Sequence, residues 1–470
     1  MLRKRPVKSA LLGCFSLAAF LAAGCSSMSS NSLTGTQNSQ TGQAFVIGTD
    51  APAASVISFT VQVQSIDAVN STTNTSVPLI SGPSKVDFAR FNGLQDLLDL
   101  SNVPVGTYDS IAITLGPSAT IGYLDTSTTE PTIKTMDATV PTDPITITLP
   151  SALVINKSES MGLRIDFLLN KSLVLDSNGQ ITSTVNPTFA VKVVKPGDSG
   201  GHVDELIGGV ISVDASNQQF VIQRPNGRQL TIAIGNHISW DGNATLSDLN
   251  TNTIVQVSGT VDNAQSTINA DEITILTQNK FFASGQITYV TPSSGSASSF
   301  DLYVRDFEPQ ASGATGLTLG QLATVDLSGS ENYYIHWMDN PMTQFLFNAS
   351  ALTPGQDVAI GGPVSGAADA SAVTTKRVVL RPWGFVGTVV PGTITQTPGS
   401  FQMDVTGFGG VLVTTPVTVY LGGETDYEEG MTSFNDLSGN TKVRVVGLLL
   451  KDTTSGKLVL LARHIDGGDN

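Results

Sequence analysis

The sequence predicts an all-β protein, an N-terminal antiparallel β-sandwich followed by three small barrel repeats. Three observations carry that prediction. Only 13% of the 470 residues are charged, Gly, Ser, Thr and Val are abundant, and Lys/Glu-rich amphipathic stretches are nearly absent, which is the composition of many short strands joined by turns. Apolar and polar residues alternate with period two in segment after segment, as a sheet with one wet face requires. From Ile207 onward, one pattern is written three times.

The chain begins with a segment outside that fold. Met1 to Lys8 carries Arg3, Lys4, Arg5 and Lys8, and Ser9 to Ala23 is apolar or small apart from two serines. A charged start before an apolar run too short to span a bilayer reads as a cleaved signal peptide, residues 1–24. Leu21-Ala22-Ala23-Gly24-Cys25 resembles the bacterial lipobox, with Ala22 where leucine is usual. That resemblance implies cleavage before Cys25 and a diacylglyceryl group on its sulfur. Cys14, after Leu11-Leu12-Gly13, competes for the role but follows too short an apolar stretch. An ordinary secretory signal with an incidental cysteine is the alternative. Cys14 and Cys25 are the only cysteines, so the mature chain would keep one, at its first residue, with no intrachain disulfide and a thiol accounted for by acylation. Each buried acyl methylene contributes about 0.8 kcal/mol, and more than one chain anchors stably. The Ser/Thr/Asn-rich stretch 25–43 cannot bury a core and reads as a tether. Ser26 and Ser27 lack the aspartate that resembles an inner-membrane retention signal. The expected location is therefore exported, lipid-anchored in the cell envelope, at the outer membrane.

Loss of the four signal cations takes the formal charge from -15 to -19. Such a surface repels phosphate backbones and anionic headgroups, so nucleic acid is an unsuitable partner and the lipid alone must hold the membrane.

Residues 44–195 are expected to form the sandwich. "SFTVQVQSI" (Ser58 to Ile66), "YDSIAITL" (Tyr108 to Leu115), "ITITL" (Ile145 to Leu149), "MGLRIDFLL" (Met161 to Leu169) and "FAVKVV" (Phe189 to Val194) alternate as strands, whereas "LQDLLDL" (Leu94 to Leu100) predicts a helical turn. Asp50-Ala51-Pro52, then Pro104-Val105-Gly106-Thr107-Tyr108 with Ile111, then Leu163-Arg164-Ile165-Asp166-Phe167 resemble, in order, the motifs of the bacterial and archaeal family known as domain of unknown function 4382. The resemblance implies a secreted sandwich-like domain and no activity. Pro104 and Gly106 suit a turn, Tyr108 a corner residue bonded back to backbone, and Asp166 a cap or ion pair. A binding role for Asp50, Asp87 or Asp166 would rest on the need of an inward carboxylate for a partner or cation.

A Gly-rich linker, 196–206, precedes repeats at 207–277, 280–382 and 383–466. Their aligned landmarks are an opening glycine (Gly209, Gly285, Gly387), a strand-opening phenylalanine (Phe220, Phe300, Phe401) and a late glycine (Gly259, Gly361, Gly447). Fixed anchors with variable loops indicate duplicated domains of five or six strands, enough for a small barrel. Gly209-Val210-Ile211, Val255-Gln256-Val257-Ser258-Gly259 and Ala270-Asp271-Glu272-Ile273 are similar to the blocks of domain of unknown function 5666. By analogy the repeats are OB-like barrels.

The chemistry available is sparse. His202, His237, His336 and His464 have no zinc-binding spacing, and no G-x-S-x-G elbow or phosphate-binding loop occurs, so no catalytic residue, metal or cofactor is assigned beyond the lipid at Cys25. Two stretches stand out. Tyr333, Tyr334, His336 and Trp337 would form either a platform for sugar rings or a buried aromatic strand, the latter favoured. Glu424, Asp426, Glu428 and Glu429 lie in a glycine-flanked segment that reads as a solvated acidic loop or a cation site without EF-hand spacing. The function expected is a non-enzymatic binding or structural role, with β-domain loops presented to an envelope protein or glycan. A carboxylate-based hydrolase or carbohydrate-active enzyme and a passive spacer are the alternatives. Cys25→Ser is expected to abolish incorporation of an alkyne-tagged fatty acid and release the chain from membranes in fractionation; unchanged labelling would contradict the anchor.

Overall fold

The computed structural model describes residues 41–51, 56–91, 96–125, 127–157, 160–177, 181–195, 201–224, 229–240, 244–251, 253–262, 267–275, 280–308, 317–335, 345–363, 372–406, 412–413, 415–428, 431–452 and 455–467. Cys25 and the tether up to residue 40 lie outside them. Gln40–Asn470 form one compact unit. Among the described residues, no helix is long and apolar enough to cross a membrane.

The sandwich is built from β1 (Thr41–Ala51), β2 (Val56–Asn70), β3 (Thr75–Pro78), β4 (Ser84–Asp87), β5 (Asp96–Pro104), β6 (Gly106–Asp125), β7 (Thr132–Thr139), β8 (Ile145–Ile155), β9 (Met161–Leu168), β10 (Leu173–Leu175), β11 (Ile181–Val185) and β12 (Phe189–Val194). One sheet runs β12-β9-β1-β5 and the other β10-β11-β7-β6-β2-β3, with β4 on β2 and β8 on β6. Pairing is antiparallel apart from β1 with β9 and a single bridge between β11 and β7. Phe167 lies between Phe59, at 4.9 Å, and Phe88, at 4.7 Å, ring centroid to centroid, and all three are buried. The Tyr108 hydroxyl donates to the Pro104 carbonyl at 2.9 Å, the corner bond its motif implied.

The helical turn expected at Leu94 to Leu100 is instead, from Asp96 on, the start of β5, paired antiparallel with β1. Its leucines fit helical spacing, but the edge of β1 offers a full ladder of hydrogen bonds and Leu97 goes into the core. Asp99 is buried with it and accepts from the Ser81 N–H (2.6 Å) and hydroxyl (3.0 Å), the Leu100 N–H (2.6 Å) and the Ser101 hydroxyl (3.2 Å).

The first barrel comprises β13 (His202–Asp214), β14 (Gln219–Gln223), β15 (Gln229–Trp240), β16 (Ile254–Val261) and β17 (Thr267–Ile275), closed in the order β13-β14-β15-β17-β16. β13 thus begins inside the stretch expected as linker. The second holds β18 (Lys280–Thr291), β19 (Ser299–Glu308), β20 (Leu322–Asp326), β21 (Asn332–Ile335), β22 (Asp357–Pro363), β23 (Ala372–Thr374) and β24 (Arg377–Arg381). The third holds β25 (Trp383–Val389), β26 (Thr395–Gln396), β27 (Gly399–Thr406), β28 (Val417–Glu428), β29 (Lys442–Lys451) and β30 (Leu458–Gly467), closed by the β25–β27 pairing.

All three follow one path: first strand beside second, second beside third, third parallel to fifth, fifth beside fourth, fourth beside first. That is the OB-like order, with a 3-10 turn between third and fourth strands at Leu246–Asp248, Ala349–Ala351 and Phe434–Asp436. The parallel pair always breaks at one point. The register skips between Ile234 and Ser239 on β15 and between Leu421 and Asp426 on β28. In the second barrel the break is complete, so β20 and β23 pair as one half while β21 and β24 pair as the other.

The glycine landmarks need a correction of one residue in two places. Strand register aligns Gly208, not Gly209, with Gly285 and Gly387, and Gly362, not Gly361, with Gly259 and Gly447. A Cβ on Gly208 would lie 2.9 Å from the Gln223 carbonyl oxygen, and on Gly362 2.7 Å from that of Thr374, whereas nothing lies within 4 Å of one on Gly209. Gly259 and Gly447 sit at bulges where the closing strand coils. Phe220, Phe300 and Phe401 are all buried.

The modules share cores. Phe45, Ile47, Leu97 and Val194 of the sandwich pack with the interior of the first barrel, and Leu448, Leu450, Val459 and Leu461 of the third barrel pack with the interior of the second. Phe167→Ala should cost about 3–5 kcal/mol, read as a lower urea midpoint with unchanged slope.

Candidate functional site

A cleft of about 330 Å³ lies between the first and second barrels. Gln256, Glu272 and Thr274 on β16 and β17 form one wall, and β21, β22 and β24 form the other. β21 explains what the aromatic run does. It pairs in parallel with β24, Tyr333 opposite Val378 and Tyr334 opposite Val379, so the two tyrosines face opposite sides. Tyr333 turns inward and meets Phe347 edge-on at 5.7 Å, and burial pushes its hydroxyl up to about 12. Tyr334 is 43% exposed and lines the cleft, with the Arg377 guanidinium 4.7 Å from its ring centroid. A cation over the ring fixes its plane. Lys376 beside it is held by the Ser330 (3.0 Å) and Ser328 (3.3 Å) hydroxyls. Among the described residues, the lining carries Lys376, Arg377 and Arg381 against one carboxylate, Glu272, which makes a locally positive recess on an acidic chain. His336 and Trp337 lie outside the described residues.

The acidic segment expected as a loop is strand. Through Glu428 it belongs to β28, with Asp426 opposite His464 and Glu428 opposite Asp466 on β30, while Thr425 donates to the Ala462 carbonyl at 2.9 Å across the strand break. Asp426 is exposed. The side chains of Glu424 and Glu428, and Glu429 itself, lie outside the description. Among the described residues, no three His, Cys, Asp or Glu come together as a metal site. His202 contacts Asp271 at 3.5 Å and His464 contacts Asp466, each a local pair.

Of the sandwich carboxylates, Asp87 accepts the Phe59 N–H at 2.7 Å and is pushed up by burial, and Asp166 lies 3.9 Å from Arg444 of the third barrel. The side chain of Asp50 lies outside the description.

Sequence reasoning missed a set of arginine contacts that joins the sandwich to the first and second barrels and the second barrel to the third. Arg224 of the first barrel reaches Asp96 of the sandwich at 3.0 Å and donates to the Leu97 carbonyl at 3.1 Å. Arg90 lies between Asp96 (3.6 Å) and Asp306 of the second barrel (3.2 Å). Arg305 stacks 3.8 Å from the centroid of Trp383 at the entry to the third barrel and donates to Gln286 at 3.2 Å. Asp357 lies 3.9 Å from Arg305 and 3.5 Å from Arg381. These partners are far apart in the chain and fall in no motif, so no sequence signal marks them.

A repeated cap was legible but overlooked. Thr245-x-x-Asp248-Leu249 and Ser433-x-x-Asp436-Leu437 form capping boxes, and Asn348 caps the corresponding turn before Leu352. The leucine is buried each time, and four residues on, Thr253, Gln356 and Thr441 accept the Asn250, Thr353 and Ser438 N–H groups at 3.0, 3.0 and 3.1 Å.

With the geometry set out, comparison with known proteins adds one family. Residues 41–183 match the family described as domain of unknown function (DUF4382). The match ends inside β11, and β12 then completes the four-stranded sheet. No curated protein matches the chain. Among solved structures, Drosophila Unr CSD456 aligns at 12% identity over 56% of this chain and 97% of its own, with a TM-score of 0.14, too low to carry any argument.

Burial pushes the Asp357 carboxyl up to about 8, against the pull of Arg305. An acid raised in this way keeps a proton in the folded state that the unfolded chain has released, so its contribution to stability falls as pH rises from about 4 to about 8. Asp357→Asn should therefore gain on the parent between about pH 5 and about pH 8 in urea unfolding; a pH-independent difference would contradict it.

Proposed function

We propose that the chain is an exported envelope protein, anchored at the outer membrane through lipid on Cys25, that binds an acidic glycan in the cleft between its first two barrels. The observation that carries this reading is Tyr334, exposed in a recess and oriented by Arg377, beside the exposed cation of Lys376. An aromatic face suits the apolar face of a sugar ring, and the ammonium suits a carboxylate or phosphate substituent. A processed chain of net charge -19 that carries cations at its cleft would hold an acidic polymer locally while repelling it elsewhere.

The reading is one of binding: glycoside hydrolysis by acid and base uses two carboxylates, and among the described residues the cleft lining holds Glu272. Among the described side chains, the outer face of the second and third strands of the first barrel presents Gln219, Val221, Gln223, Thr231 and Ala233, none of them an aromatic ring or a cation to hold a nucleic-acid strand.

In a retention assay the parent should bind polygalacturonate but not dextran, more weakly as salt rises, and Tyr334→Ala or Lys376→Ala should each weaken binding about tenfold, or about 1.4 kcal/mol. Equal retention of parent and variants would remove the cleft from the account.

A further inference from the structure

We propose that a second pocket, where the sandwich meets the first and second barrels, is a separate binding site for a short neutral saccharide. It measures about 440 Å³, within the range of about 300–1,000 Å³ usual for small-molecule sites.

Its roof is the wet face of the larger sandwich sheet. There Ser58 pairs across to Gly122 and Gly122 to Thr135, while Thr60 pairs directly with Thr120, so hydroxyls stand in two adjacent rows on one surface. Gly122 is glycine for a reason: a Cβ there would lie 2.2 Å from the Ser58 hydroxyl oxygen. Its floor is the chain of ion pairs Arg224–Asp96–Arg90–Asp306, in which each charge is held at 3.0, 3.6 and 3.2 Å by the next. Arg90 is 31% exposed at its side chain and Asp96 14%, so the pairs face the cavity without being free to reorient. Asp87 supplies an acceptor and exposed Lys85 a donor. Leu319, 52% exposed, gives the mouth an apolar edge from the second barrel.

This mixture selects the ligand chemistry. Among the described residues, the pocket is lined by four cationic side chains (Lys85, Arg90, Arg224, Arg305) and three acidic ones (Asp87, Asp96, Asp306), which leaves little net charge. A carboxylate ligand brings only acceptors, a phosphate brings mostly acceptors with its negative charge, and either would meet the Asp87 carboxyl. An ammonium brings only donors and would meet Lys85 and Arg90. A sugar hydroxyl donates one hydrogen bond and accepts two, so a polyhydroxylated neutral molecule is the class that satisfies arginine, lysine, aspartate and threonine groups at once. Rigid, pre-paired charges also reduce the ordering that binding would otherwise require. Among the described residues, the site differs from the inter-barrel cleft in having no exposed aromatic ring and a nearly balanced set of charges, and it does not depend on that cleft being occupied.

The test uses the full chain in detergent, with saturation-transfer NMR and titration calorimetry against cellobiose, maltose and lactose, and glucuronate, glucosamine and inorganic phosphate as charged controls. At least one neutral disaccharide should bind while the charged controls do not. Thr135→Trp, a substitution at an exposed strand position that fills the mouth, should weaken binding at least tenfold, and so should Thr60→Val, which removes one hydroxyl at nearly constant volume should the tryptophan disturb folding. Tyr334→Ala should leave this binding unchanged, which separates failure here from failure of the cleft. Absence of binding by every neutral sugar, binding of the charged controls alone, or neutral binding insensitive to Thr60→Val would each overturn the proposal.

Discussion

Buried arginine–carboxylate contacts at the seams are the constraint on which the rest of this molecule depends. Arg224 to Asp96, Arg90 to Asp306 and Arg444 to Asp166 each join two modules, and all six side chains are half-buried or deeper. Such pairs add little net stability over apolar substitutes, because desolvation offsets attraction, but leaving one partner behind costs about 3–5 kcal/mol. Their effect is selective. The shared apolar cores would hold the modules together in several orientations, and only the one that pairs every buried charge avoids that penalty. The second pocket lies at these seams, whereas the inter-barrel cleft lies where the first and second barrels meet.

The strands of the sandwich and of each repeat were legible because alternation is a local signal and the structure obeys it. Where reading failed, a long-range partner had intervened. Leucines spaced for a helix became β5 because the edge of β1 was available, and an acidic run between glycines became the second half of β28 because β30 lay parallel to it. The glycine landmarks slipped by one residue at Gly208-Gly209 and Gly361-Gly362, where two glycines adjoin and only register tells which one touches the neighbouring carbonyl. The Thr/Ser-x-x-Asp-Leu cap was present in the letters, obscured by Asn348 in the second repeat.

The candidate site was half visible. A run of aromatics marked the position, but strand period assigned opposite roles to neighbours, with Tyr333 in the core and Tyr334 in the cleft. Arg377 and Lys376, which orient and charge that cleft, sit some forty residues away and become relevant only through the parallel pairing of β21 and β24. The same pairing exists because the second barrel's third strand is split, so the insertions that make this repeat the longest also create its recess.

The central claim is that sandwich and barrels are one cooperative unit. Differential scanning calorimetry of the full chain tests it most directly. The account predicts a single transition in which the calorimetric enthalpy equals the van't Hoff enthalpy; separate transitions, with the sandwich unfolding independently of the barrels, would contradict it.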